Sequence, residues 1–177
     1  MVTHSDLIRD FVNTLHKDPR GDEEELVSPA ALAAWLRERS LLDGGRVTPG
    51  ELARAIEFRE ALRVLLLANN DVLVEIADAD RVLDAVARRA RVELRFSDGE
   101  PALVPAVAGV AGALGRIAAA VHGAVADGSW PRLKACRAGD CEWAFVDHAK
   151  NLSRAWCSMS SCGNRAKARA HRERQRR

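Results

Sequence analysis

The sequence has 177 residues, of which 47% are hydrophobic and 29% are charged, and its formal net charge is +2. This length suits one sizeable domain, or a domain of ordinary size followed by a small module. The sequence has no run of eighteen apolar residues and no basic leader before an apolar stretch, so we expect no membrane-spanning helix, no export and a cytoplasmic protein with reduced thiols.

Helices are predicted through the first part of the chain. In "SDLIRDFVNTLH" the apolar residues share one helical face, with Ser5 as a plausible cap, and Ser28 opens a second helix that reaches about residue 39. In "TPGE", Thr48 and Glu51 have the spacing of a capping box, which predicts a third helix to about residue 68. The first part of the chain is therefore expected to be mostly helical.

The periodicity then changes. After a fourth helix over about 79–90, "RVELRF" alternates apolar and polar residues, "SDGE" is a turn and "PALVP" returns, which predicts a β-hairpin. A long alanine-rich helix is predicted over about 107–126, and "DGSWP" ends it. That segment, 127–131, is the predicted domain boundary.

All four cysteines follow this boundary, in the pattern Cys136-x4-Cys141-x15-Cys157-x4-Cys162. Two closely spaced pairs joined by a spacer are typical of a tetrahedral zinc site, so we predict one structural Zn²⁺ per chain. Two disulfides or four unrelated buried thiols are the alternatives, and His148 in the spacer is a competing ligand. A site of four thiolates carries a charge of −2, which cations nearby in sequence would relieve: Arg154, Arg165 and Lys167.

The segment around the cysteines is too short to fold on an apolar core of its own. Metal binding is therefore expected to supply the folding energy, on the order of 10 kcal/mol. Trp143, Phe145 and Trp156 should form a small core beside the metal, and "EWAFVD" should be a strand whose partner lies near "RAW".

The end of the sequence is strongly basic. Residues 150–177 hold nine Lys or Arg and one acid, a charge of +8, whereas the other 149 residues hold eighteen bases and twenty-four acids, a charge of −6. The segment "RAKARAHRERQRR" is predicted to be a helix without an apolar face, preceded by Gly163 at a turn and Asn164 as a cap. Such a helix suits a polyanionic partner, although a solvated tail would look the same.

The segment "CEWAFVDHAKNLSRAWCSMSSCGNRAKARAHRERQ" closely resembles the CGNR zinc-finger family, whose motif stands here as residues 162–165. The body, with "DFVNTLH", "ELARAIEFREALRVLL" and "VELRFSDG", is similar to the ABATE domain that usually precedes this finger. The family is described as stress-induced bacterial transcription regulators. The resemblance implies four zinc ligands, Cys136, Cys141, Cys157 and Cys162. It also implies nucleic-acid contacts among the basic residues Arg154, Arg165, Lys167, Arg169, Arg172, Arg174 and Arg176. The first cysteine pair is wider here than in many relatives.

These observations together predict an α+β fold. A mostly helical body with one β-hairpin, residues 1–130, would precede a small zinc-finger module with a basic C-terminal helix, residues 131–177. In the body, Asn13, Thr14, Arg59 and Arg63 could line a small-molecule site. The alternative is that Asn13 and Thr14 satisfy local backbone groups while the two arginines lie on a solvated face.

Three functions fit this sequence. The first is a DNA-binding regulator whose body serves as a sensor or dimerisation domain, so that a homodimer and an effector of unknown identity are both open. The second is an RNA-binding protein that uses the same helix, and the third is a protein-interaction module that docks an acidic partner. We expect no enzyme, because the sequence shows no Ser/His/Asp set and no phosphate loop, and because the metal site is closed.

Overall fold

The computed structural model describes residues 3–176, and within them it contains six α-helices and three two-stranded antiparallel sheets. The helices are α1 (His4–Val12), α2 (Pro29–Glu38), α3 (Pro49–Ala68), α4 (Ala77–Ala90), α5 (Gly109–Ala126) and α6 (Asn164–Gln175). The strands are β1 (Leu15–His16), β2 (Glu23–Glu24), β3 (Val92–Ser97), β4 (Glu100–Pro105), β5 (Leu133–Ala135) and β6 (Ala144–Val146). This confirms the predicted α+β class with a mostly helical body.

The helix starts follow their capping residues. The side chain of Ser28 caps α2, and Thr48 and Glu51 form the predicted capping box at the start of α3. At α1 the prediction of Ser5 was wrong, because Thr3 is the cap and pairs with Asp6 in a capping box. Ser5 instead lies buried in the helix, where its hydroxyl oxygen is 2.7 Å from that of Ser129.

The core of the body lies between α1, α2, α3 and α5. The Phe11 ring packs against Trp35 and Phe58, with ring centroids 5.3 and 5.8 Å apart. By length and composition alone, α5 meets the criterion for a helix that could cross a membrane, which the sequence interpretation did not anticipate. Its buried side chains, including Leu114 and Ile117, pack in this core, as expected of the central helix of a globular fold.

The core continues past the predicted domain boundary. β5 pairs with β6 in antiparallel register, and the buried residues Leu133, Ala135 and Ala144 belong to the same apolar cluster as the helices. The strand predicted over "EWAFVD" is β6, and the prediction that it pairs with the "RAW" segment was wrong. β5 is fully buried against α3, so the burial of apolar side chains in the body selects it as the partner.

Candidate metal centre

The four cysteine sulfurs lie together. Their Sγ atoms are all within 4.8 Å of one another, and the Cys141–Cys157 and Cys157–Cys162 sulfurs are each 3.6 Å apart. Four sulfurs at about 2.3 Å from a tetrahedral Zn²⁺ are separated by about 3.8 Å, so the arrangement fits one zinc ion. All four cysteines are free thiols, which excludes the two-disulfide alternative in this structure. His148 is exposed and lies outside the cluster.

The first cysteine pair is positioned by the end of the β5–β6 ribbon. The amide of Cys136 donates to the carbonyl of Trp143 at 3.0 Å, which extends the ribbon by one bond beyond β5. The chain then turns, and the amide of Cys141 donates to the carbonyl of Ala138 at 2.9 Å. The four-residue spacing therefore forms a closed turn that presents both sulfurs to one side.

The second pair is positioned by a π-helical turn, Met159–Gly163, which leads without a break into α6. Asn164 is therefore the first residue of α6 and not its cap, and its side-chain amide donates to the Ser160 carbonyl at 3.2 Å. Gly163 has helical φ and ψ, so the predicted turn is not why glycine stands there. A Cβ at this position would lie 2.8 Å from Sδ of Met159, so a larger residue here would displace the end of that exposed side chain.

The grouped thiols alter one another's ionisation. Hydrogen bonds from the Cys141 and Cys157 thiols lower the pKa of the Cys136 thiol. The same contacts with Cys136 raise the pKa of the Cys141 and Cys157 thiols, because a second negative charge beside the first is unfavourable. A divalent cation removes this repulsion, and zinc binding therefore releases protons from the cluster.

The aromatic residues pack beside the metal centre as predicted. Phe145 is buried with the cysteines, and Trp143 and Trp156 pack against them while half-buried. The body also reaches this centre through the β1–β2 ribbon, where Lys17 Nζ lies 2.5 Å from the Glu142 carboxylate and the His16 ring meets the Trp143 ring edge-on. Residues from both parts of the chain therefore surround the sulfurs.

Residues 132–175 match the family model of the CGNR zinc finger, which covers about a quarter of the chain. This segment is a CGNR zinc finger. The four cysteines make it a zinc-binding module, and the match confirms the resemblance seen in the sequence. No curated protein matches the chain. The similarity of the body to an ABATE domain stays a prediction.

The arginine of the CGNR motif, Arg165, faces the metal centre. Its guanidinium NH2 group lies 3.3 Å from the Cys162 sulfur and 3.3 Å from the Asp140 carboxylate. Asp140 stands in the turn between Cys136 and Cys141, so Arg165 links the start of α6 to the first cysteine pair. A cation here offsets the negative charge of a four-thiolate site.

We predict that Arg165→Ala weakens zinc binding about 10- to 100-fold, because it removes a hydrogen bond to a ligand sulfur and a nearby positive charge. Competition with a chromogenic chelator measures this affinity in the intact chain. Arg174→Ala, which removes an equal charge from an exposed position of the same helix, is the matched control. Equal zinc affinity in the two variants would contradict the role given to Arg165.

Asp147 organises the spacer between the cysteine pairs. Its carboxylate is fully buried and accepts hydrogen bonds from Lys134 Nζ at 2.9 Å and from the amides of Ala149 and Arg154 at 2.9 and 3.0 Å. Burial of this carboxyl acts to raise its pKa, but the three hydrogen bonds prevail, and the pKa lies below its ordinary value of 3.8. Sequence reasoning missed this role, although Asp147 is the last residue of the segment "EWAFVD", which was predicted to be a strand.

We predict that Asp147→Asn lowers the free energy of unfolding by about 3–5 kcal/mol, because it leaves the Lys134 ammonium buried without its counter-charge. The pKa of Asp147 is lower in the folded chain than in the unfolded chain, so the stabilisation is complete above the unfolded pKa. It is lost as the pH falls through the folded pKa. Denaturant unfolding at several pH values should show the two proteins converging in acid, with the exposed Asp43→Asn as the control. A difference independent of pH would contradict this account.

The body residues considered for a ligand site are buried and bonded to protein groups. Asn13 pairs with both backbone groups of Ala144, at 2.8 and 2.9 Å, and the Thr14 hydroxyl donates to the Phe11 carbonyl. Arg59 and Arg63 are each only 2% exposed, so the prediction that they lie on a solvated face was wrong. The polar groups of all four side chains bond to other groups of the protein.

The two buried arginines are compensated within the fold. Arg59 pairs with Glu24 and Glu60, each at 2.7 Å. Arg63 pairs with Glu60 and donates to the carbonyls of Val12, Leu15 and Glu142. Because Glu142 and Ala144 belong to the zinc finger, Arg63 and Asn13 join the body to the finger, and a ligand site at these residues stays a prediction.

The residues predicted to contact nucleic acid fall into two groups, those that contact the zinc finger itself and those that are exposed. Arg154 lies over the Phe145 ring at 4.6 Å and donates to the carbonyls of Trp156 and Cys157, so it serves the finger itself. Arg165 and, at 4.0 Å, Arg169 face Asp140. The second group is exposed along α6 or at its C-cap and has no carboxylate within 4.0 Å among residues 3–176: Lys167, Arg172, Arg174 and Arg176.

Proposed function

We propose that the protein binds duplex DNA through α6 and acts as a transcription regulator. The observation that carries this proposal is α6 itself, a twelve-residue helix with no buried residue and a dense positive charge. A helix without a buried face gains no stability from packing on the core, so its side chains face either solvent or a binding partner. The exposed cations have the character of phosphate-binding groups.

The zinc finger would provide a rigid base for this helix. α6 continues directly from the π-helical turn that carries Cys162, and Arg165 ties its first turn to Asp140. The carboxylates of the body outnumber its cations, so the body would repel a polyanion and leave contact to the basic end. The four-thiolate site leaves no open coordination position, so the proposal assigns the metal no catalytic step.

The test compares binding of the zinc-loaded full chain to duplex DNA, duplex RNA and an acidic peptide by fluorescence anisotropy at physiological salt. The proposal expects DNA binding that is lost when the chain is ended before Lys167. Preferential RNA binding would favour the RNA-binding alternative, and binding to the acidic peptide alone would favour the interaction module. Either result overturns the proposal. Sequencing of genomic fragments retained by the protein would then identify the sites of regulation.

A further inference from the structure

The apolar face of α4 is incompletely covered. The helix packs on α3 and α5, yet only Ala79 and Ala90 of its fourteen residues are buried. Val82 and Val86 point to the same neighbours and remain half-exposed. Apolar side chains on the inner face of a helix are normally closed off by packing, so space is left beneath α4.

That space is a cavity of about 440 Å³ between α3, α4 and α5, within the size range of small-molecule sites. Its floor is apolar and is formed by Val82, Val86, Val110 and Leu114. Of these, Val110 and Leu114 are buried core residues of α5, so the floor is part of the rigid body. An apolar group placed here would complete the packing of α4.

The mouth of the cavity is charged. Arg54 of α3 and Arg89 of α4 line it, and neither has a carboxylate within 4.0 Å in the described part of the chain. Arg81 also lines it but pairs with Asp78. Two carboxylates also line the mouth: Glu51, which accepts hydrogen bonds from the Thr48 amide and hydroxyl, each at 2.8 Å, and Glu57. Both carboxylates keep their charge, so Arg54, Arg89 and the two glutamates are neutral in sum, but the two guanidinium groups have no carboxylate partner in the described part of the chain and are free to donate hydrogen bonds to the carboxylate of a ligand.

We infer that this cavity binds a small organic monocarboxylate with an apolar body. The apolar part would lie on the valine and leucine floor, and the carboxylate would accept hydrogen bonds from Arg54 and Arg89, whose planar guanidinium groups match it. Glu57 disfavours ligands with several negative charges, such as polyphosphates. The site is separate from the metal centre and from α6, so it stands independently of nucleic-acid binding.

Isothermal titration calorimetry with the zinc-loaded full chain tests this inference. The probes are octanoate and benzoate, with 1-octanol as the uncharged control of matched length. We expect at least one carboxylate to bind with one site per chain, and 1-octanol to bind about tenfold more weakly or worse. Failure of both carboxylates to bind, or equal binding of octanoate and 1-octanol, would overturn the inference.

Two variants and one control locate the site. Arg54→Ala combined with Arg89→Ala should weaken the bound carboxylate about tenfold or more. Arg88→Ala should leave it unchanged, because Arg88 lies next in sequence, pairs with Asp84 at 3.2 Å and does not line the cavity. Ala85→Trp fills the mouth from an exposed position, so it should abolish binding while the far-ultraviolet circular dichroism spectrum is retained. Binding that survives Ala85→Trp would place the probe elsewhere and refute the assignment.

Discussion

Replacement of Cys157 by serine should remove the zinc ion and lower the thermal stability of the whole chain. The parent protein should contain one zinc per chain by elemental analysis, and the variant close to none. Structural zinc sites contribute on the order of 10 kcal/mol to folding, which is comparable to the entire stability of a typical domain. Loss of the zinc ion should therefore destabilise the body of the protein as well as the finger.

The reason lies in the shared core. Leu133, Ala135 and Ala144 pack with the helices of the body, and Arg63 donates to the Glu142 carbonyl across the predicted boundary. Asn70 adds to this junction, because its side chain donates to the carbonyls of Ala135 and Ala155. When the metal is lost and the finger loosens, these groups lose their partners, and an unsatisfied buried group costs about 1–3 kcal/mol.

Differential scanning calorimetry distinguishes the outcomes. We expect a single transition in the parent protein and a single transition at lower temperature in Cys157→Ser. Ser153→Ala, an exposed change in the spacer between the cysteine pairs, should melt like the parent. If the variant instead keeps a transition at the parental temperature, residues 1–130 are a separate thermodynamic unit, as the sequence suggested, and the shared core contributes little.

The exposed cations of α6 should account for most of the affinity for duplex DNA. If about five cations meet phosphates, the logarithm of the binding constant should fall with the logarithm of salt concentration at a slope of about −4.5. A fourfold rise in salt would then weaken binding several hundred-fold. To test this, four exposed cations are replaced together by glutamine in one variant: Lys167, Arg172, Arg174 and Arg176. For this variant we expect a slope near −0.9 and only a few-fold loss over the same range.

A control with the same change in net charge separates this mechanism from general electrostatic attraction. Four exposed arginines of the body are replaced by glutamine for this purpose: Arg20, Arg46, Arg88 and Arg95. The slope of the control should stay near that of the parent, because screening limits the reach of distant charges to about 8–10 Å. An equal reduction of the slope in both variants, or a parent slope near zero, would contradict phosphate binding by α6.

Local signals in the sequence predicted the elements that depend on neighbouring residues. The Thr48–Glu51 capping box located the start of α3, and the alternation over 92–96 located the hairpin. The spacing of the cysteines predicted the metal cluster, since two pairs of thiols in a short segment have few other uses in reduced surroundings. These features are encoded within a few residues of where they occur.

The features that sequence reasoning missed depend on distant parts of the chain. Glu60 is a local partner of Arg59 and Arg63 on the same helix, but the two arginines are buried because Glu24 and the carbonyls of Val12, Leu15 and Glu142 come from other segments, and no local pattern predicts those partners. Likewise β6 pairs with β5 because both enter the core of the body. The cavity beneath α4 was also beyond reach, since it arises from how three helices meet.

Because the π-helical turn continues directly into α6, a small change of angle at the turn produces a large displacement at the far end of the helix. Its twelve residues span about 18 Å, and its ion pairs with the finger lie in its first two turns, where Arg165 and Arg169 contact Asp140. A tilt of about 10° at this base would move the far end by about 3 Å, close to the rise of one base pair. The geometry at four sulfur atoms thus determines which groups on a nearby surface the tip of the helix can reach.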